Sequence, residues 1–129
     1  MKRIKSIFVL VLLFSLTLSA ANAQTANTGK VLRHVVMFKF KESATPANIK
    51  LVEEEFAKLP QKIGGIQSYE WGTNSSPEGL NQGLTHCFIL TFTSDKDRDA
   101  YLIHPAHKEF GKILGPYLDK VTVFDFWVK

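Results

Sequence analysis

Four alternating apolar segments and two helical stretches follow one another in the order β-α-β-β-α-β. That order predicts an α+β fold, a ferredoxin-like protomer with a four-stranded antiparallel sheet and two helices on one face. The chain has 129 residues, 45% of them hydrophobic and 22% charged, which suits one domain with one core. Its first strand is apolar on both faces, while the helices can cover only one. The open face predicts a homodimer in which two sheets pair into a dimeric α/β barrel.

The residues ahead of the first strand read as a leader. Lys2, Arg3 and Lys5 precede an apolar run from Ile7 to Leu18, and Ala21-Asn22-Ala23 has the small-x-small form of a cleavage site. The run is shorter than the ~20 apolar residues of a membrane span. Residues 1–23 are therefore expected to be a secretory signal peptide, 24–30 a flexible lead-in and 31–129 the folded domain. Such a protein is exported, periplasmic or secreted, with no stable membrane association after cleavage. Three of the 16 Lys+Arg lie in the leader, and the remaining 13 nearly balance 12 Asp+Glu. A near-neutral domain has no electrostatic footprint for nucleic acid. The single cysteine, Cys87, excludes a disulfide scaffold, and its apolar surroundings predict an inert buried thiol.

Val31 to Lys41 alternates with period two, placing Leu32, His34, Val36, Phe38 and Phe40 on one face and Val35 and Met37 on the other. Thr45-Pro46 opens a helix, with threonine as the cap and proline at the first helical position, where its missing N–H is not needed. Ile49, Val52, Phe56, Leu59 and Ile63 recur at three- and four-residue steps; Pro60 ends the regular helix and Gly64-Gly65 turns the chain. Ile66 to Gly72 reads as the second strand, Asn74 to Gly83 as a polar loop, and Thr85 to Thr93 as the third strand. Ser94 caps a helix with Asp97 three residues on. His104-Pro105 breaks it, and a new helical segment starts at Pro105 with His104 as its cap. Val121 to Val128 is the fourth strand.

Three histidines lie in apolar settings. If His34 faces the helices, it converges with Tyr101 and with His107 across the proline break. A buried imidazole beside a phenol suits general-base chemistry, because apolar walls favour the neutral, proton-accepting ring. The same residues could equally satisfy core hydrogen bonds. His104-x-x-His107 has a proline within it and no third ligand at a suitable spacing, so no metal is expected. A phosphate loop and a G-x-S-x-G elbow are both missing, so neither nucleotide-dependent nor hydrolase chemistry is indicated. No cofactor is expected.

The runs Leu32-Arg33-His34-Val35-Val36-Met37-Phe38-Lys39-Phe40-Lys41, Gly83-Leu84-Thr85-His86, Tyr101-Leu102-Ile103-His104-Pro105-Ala106-His107 and Val123-Phe124-Asp125-Phe126 resemble the stress-responsive dimeric α/β-barrel (Dabb) family. The resemblance spans Val31 to Lys129 and implies a ferredoxin-like protomer in a barrel-forming homodimer. The best-defined activity in that family is a cofactor-free polyketide cyclisation. By position it implies His107 as general base, Tyr101 as its partner at the substrate carbonyl, and His34, Phe38, Phe56 and His104 as pocket residues. That cyclase carries a second pocket tyrosine where this chain has Phe56. Three functional readings follow: binding of a small apolar carbonyl- or acid-bearing molecule, a cofactor-independent cyclase or lyase, and a non-catalytic stress-response dimer.

Overall fold

The computed structural model describes residues 29–129, so the expected signal peptide and most of the lead-in lie outside the described residues. Four strands and four helical segments follow as β1 (Leu32–Phe40), α1 (Pro46–Ala57), α2 (Leu59–Lys62), β2 (Ser68–Thr73), β3 (His86–Phe92), α3 (Asp95–Ile103), α4 (Pro105–Leu114) and β4 (Leu118–Trp127). The sheet is antiparallel with spatial order β2-β3-β1-β4, the ferredoxin-like arrangement.

Three of the four helix starts, those of α1, α3 and α4, have a polar side-chain cause. Thr45 Oγ1 accepts the Asn48 N–H at 3.2 Å while Asn48 Oδ1 accepts the Thr45 N–H at 2.9 Å, a reciprocal box that satisfies two donors. Ser94 Oγ accepts the Asp97 N–H, and His104 Nδ1 accepts the Ala106 N–H at 3.1 Å. Both predicted proline breaks are present: α1 ends at Ala57 and Pro60 sits in the first turn of α2, while α3 ends at Ile103 and Pro105 opens α4. Gly65, at φ +89, turns the chain towards β2, and a Cβ there would approach Asp97 Cβ to 2.9 Å.

Two strand boundaries differ from expectation. β2 begins at Ser68, because Ile66 turns in against the core and only a single Gln67 N–H···O=C Thr91 contact precedes the ladder. β4 begins at Leu118 instead of Val121, since Leu118 and Lys120 already pair with Phe40 and Lys39 across a bulge. Leu118 accordingly belongs to the sheet.

The core lies between sheet and helices. Leu32, Val36, Phe38, Phe88, Leu90 and Phe92 from the sheet meet Val52, Phe56, Leu59, Tyr101, Phe110 and Leu114 from the helical layer. The opposite sheet face stays open. Val35 and Met37 are half-buried there, and Phe124, their neighbour on β4, is 62% exposed. A cleft of about 700 Å³ on that side is lined in part by Met37, Leu80, Cys87, Ile89 and Thr122. Cys87 is only half-buried in the protomer, and burial pushes its thiol pKa up, away from reactivity.

Candidate active site: a buried histidine–tyrosine cluster

β1 turns His34 towards the helices, where it is 3% exposed. In register, Tyr69, Leu90, His34 and Asp125 form one row across the four strands on this inner face. α3 ends with Tyr101 above that row, its ring 5.6 Å from the His34 ring and 5.6 Å from Phe92. The proline break then swings α4 so that His107 returns to within 4.5 Å of the Tyr101 ring. The structure thus brings together His34, Tyr101 and His107, three residues singled out in the sequence.

The polar partners decide what each ring can do. Leu102 O can only accept, so at 3.1 Å it holds a proton on His107 Nδ1 and leaves the lone pair of the neutral ring on Nε2. Burial pushes the His107 pKa below its ordinary 6.5, with the neighbouring His34 acting in the same direction and the Leu102 bond opposing. His34 Nδ1 donates to Asp125 Oδ1 at 2.7 Å, which fixes its tautomer, and Arg98 donates to the other carboxylate oxygen. Asp125 and Arg98 were not singled out in the sequence. A carboxylate in the apolar run Val121 to Val128 was the available signal for the first; Arg98 carried none.

Tyr101 is 1% exposed, and its hydroxyl makes no hydrogen bond among the described residues. Burial is the main reason that its pKa is raised, with the nearby Tyr69 phenol adding to it, so the hydroxyl stays protonated and able to donate. The remaining expected pocket residues take other places. His104 is occupied as the cap of α4. Phe38 and Phe56, each 1% exposed, stack on one another at 6.0 Å within the core and underlie the cluster instead of lining an open cavity. Neither the 700 Å³ cleft nor a second cleft of about 360 Å³ between the helices is lined by His34, Tyr101 or His107. The margin beside the cluster is more open: Val121 and Val123, on the inner face of β4, are 46% and 52% exposed. Among the described residues no group of three or more His, Cys, Asp or Glu is arranged to hold a metal ion.

A fourth histidine, His86, forms a separate cluster. It is buried, accepts or donates at Thr85 Oγ1 (2.8 Å), and pairs through Nε2 with Glu53 on α1 at 2.9 Å. It ties α1 to the sheet.

A ferredoxin-like protomer is the fold of solved dimeric proteins that this chain resembles. The family model for the Stress responsive A/B Barrel Domain (Dabb) matches residues 32–128, and the chain belongs to that family. It is 38% identical over 95 residues to the stress-response A/B barrel domain-containing protein HS1 of Arabidopsis thaliana, covering 74% of this chain and 87% of that protein. It is 28% identical to olivetolic acid cyclase of Cannabis sativa, with 74% and 94% covered. Among solved structures, the hydroxynitrile lyase of Passiflora edulis superposes with a TM-score of 0.72 at 25% identity, covering 77% of this chain and 94% of that one. A dimeric protein with a ferredoxin-like fold from Bacteroides fragilis matches with a TM-score of 0.63 at 25% identity, with 76% and 96% covered.

Proposed function

We propose that this protein is a cofactor-independent lyase or cyclase. It would bind a small apolar carbonyl-bearing molecule and make or break a carbon–carbon bond at the carbonyl carbon. His107 is its general base, and Tyr101 donates a hydrogen bond to the reacting oxygen. The observation that supports this reading best is the tether on His107. Leu102 holds the proton on Nδ1, so the neutral ring offers the Nε2 lone pair beside a phenol that has no other partner among the described residues.

In the cleaving direction, Nε2 takes the proton of a hydroxyl on the reacting carbon. The electrons released form the C=O bond, and the C–C bond breaks, its electron pair leaving with the departing carbon. The imidazolium then returns the proton to that carbanion, and Tyr101 stabilises the alkoxide that develops before cleavage. Addition or cyclisation is the same path reversed. The relatives named as a cyclase and as a hydroxynitrile lyase support this class. His34, turned by Asp125, would line the same site, and the half-exposed Val121 and Val123 would form its apolar entrance. We further propose a homodimer closed over Val35, Met37 and Phe124, and export after cleavage at Ala23.

The test is cleavage of an aromatic hydroxynitrile, followed by cyanide release, in the wild type and in His107→Asn. General-base catalysis of this kind contributes about 10²–10⁴-fold, and a loss of that size is expected. Cleavage that His107→Asn and Tyr101→Phe leave unchanged would overturn the assignment.

A further inference from the structure

Tyr69 stands in the same inner-face row as His34 and Asp125, two strands away on β2. Its ring packs on Phe56 at 5.6 Å and on Phe88 at 6.4 Å. Its hydroxyl is buried, and among the described residues it is the one buried side-chain polar atom without a hydrogen-bond partner. The Glu53 carboxylate, whose charge opposes ionisation of Tyr69, is paired with His86 at 2.9 Å. Phenylalanine would fill the same aromatic space without leaving a buried donor unsatisfied, so the hydroxyl gains nothing from the packing it interrupts.

A buried phenol of this kind calls for a partner that enters from outside. Tyr69 and His34 flank Leu90 in register on this face, and the Tyr101 ring stands 5.6 Å from the His34 ring. Burial also keeps Tyr69 protonated, as it does Tyr101. Tyr69 packs on Phe56 and Phe88 and Tyr101 packs on Phe92, with Leu90 between Phe88 and Phe92 on the same face of β3.

We propose that the Tyr69 hydroxyl is a specificity-determining substrate contact, and that the substrate carries a second oxygen function, hydroxyl or carbonyl, besides the carbonyl held at Tyr101 and His107. This rests on the catalytic reading above and extends it. The substrate body between the two oxygens is apolar, because the side chains between the two phenols on β3, Phe88, Leu90 and Phe92, are apolar. A molecule with only one oxygen function would enter but leave Tyr69 unsatisfied, and a site with an unpaired buried donor discriminates against such an analogue.

The probes are acetophenone, 3-hydroxyacetophenone and 4-hydroxyacetophenone, titrated by NMR into the wild type and Tyr69→Phe, following the His107 and Tyr101 ring signals. One neutral hydrogen bond corresponds to about three- to tenfold in Kd. In the wild type at least one hydroxylated ketone should bind that much more tightly than acetophenone. Tyr69→Phe should remove this preference while leaving the acetophenone Kd within about twofold. The urea midpoint of Tyr69→Phe should equal or exceed that of the wild type. A lowered midpoint would mean that the hydroxyl is satisfied inside the protein by a bound water, which overturns the proposal. If all three ketones bind equally, or if the preference survives Tyr69→Phe, the role of Tyr69 falls and the His107–Tyr101 site stands. If none of the three perturbs the wild-type ring signals, the site itself falls and Tyr69 with it.

Discussion

Tyr101→Phe separates a residue kept for function from one kept for stability. The ring of Tyr101 is 1% exposed and packs at 4.5–5.6 Å from His107, His34 and Phe92, contacts that phenylalanine retains in full. What the substitution removes is a hydroxyl without a hydrogen-bond partner among the described residues. Had that hydroxyl been bonded in the folded state, its removal would cost about 1–3 kcal/mol through the partner left behind. With no such partner that cost disappears, and because the Tyr101 hydroxyl is not among the fully buried unpartnered polar atoms its removal relieves no buried group. The expected change in unfolding free energy is within about 0.5 kcal/mol of zero. Urea unfolding at one fixed protein concentration measures it, with concentration held constant because subunit pairing would shift the midpoint. An unchanged slope confirms that the comparison is one of stability alone. The same variant should lose about 10²-fold or more in hydroxynitrile cleavage. A loss of 1 kcal/mol or more in stability, together with unchanged turnover, would refute the reasoning and make Tyr101 a structural residue.

Other outcomes follow from the same geometry. Because burial holds the His107 pKa below 6.5, the acidic limb of the kcat/KM profile should lie below pH 6.5. The sign for stability agrees: on acidification through 6.5 the unfolded chain binds a proton at this ring before the folded one does, so stability falls with pH, and His107→Asn should flatten that part of the urea-midpoint profile. Asp125→Asn preserves an acceptor for His34 but turns an amide donor towards the Arg98 guanidinium, and should cost on the order of 1–3 kcal/mol by thermal or urea unfolding. Phe56→Ala, at a 1% exposed position in contact with Phe38, Tyr69, Phe88 and Phe110, should cost about 3–5 kcal/mol by the same assay. Phe124→Glu places a charge on the open sheet face and should convert a dimer to monomer in light scattering, with His107 and Tyr101 untouched.

Local signals made the fold legible. Period-two alternation marks β1 and β3 because each has a buried face, and Thr45-Pro46, Ser94 and His104-Pro105 mark helix starts because their side chains accept backbone N–H groups within three residues. The alternation predicts β4 three residues late because Asp119 and Lys120 interrupt the apolar pattern after Leu118 on an edge strand, where pairing needs no such pattern. The convergence of His34, Tyr101 and His107 was legible from faces and from the proline break. What set their chemistry was not. The Asp125 partner of His34 depends on the register of β4 against β1, and Arg98 reaches it from α3, a tertiary contact that leaves no periodic trace. Phe38 and Phe56 carried the same apolar pattern whether they line a cavity or fill a core, and only packing separates the two. Tyr69 was unremarkable as one aromatic residue in a short strand until its hydroxyl proved to have no partner.

The distribution of polar satisfaction across the inner face is itself an argument about where function lies. His86 has both ring nitrogens engaged, and His104 accepts the Ala106 N–H at Nδ1, which puts the proton of its neutral ring on Nε2. His107 has one nitrogen tethered, and the Tyr101 and Tyr69 hydroxyls have none of their capacity used among the described residues. A scaffold selected for stability alone would place phenylalanine at position 69, since the ring carries all the packing and the buried hydroxyl only a desolvation cost. The unused capacity is gathered on one side of the core, beside a β4 margin that leaves Val121 and Val123 half exposed. A molecule entering there meets an apolar wall first and the unsatisfied donors next. Binding would then return to those groups the hydrogen bonds that folding removed, which makes the affinity selective for ligands with oxygen at the matching positions.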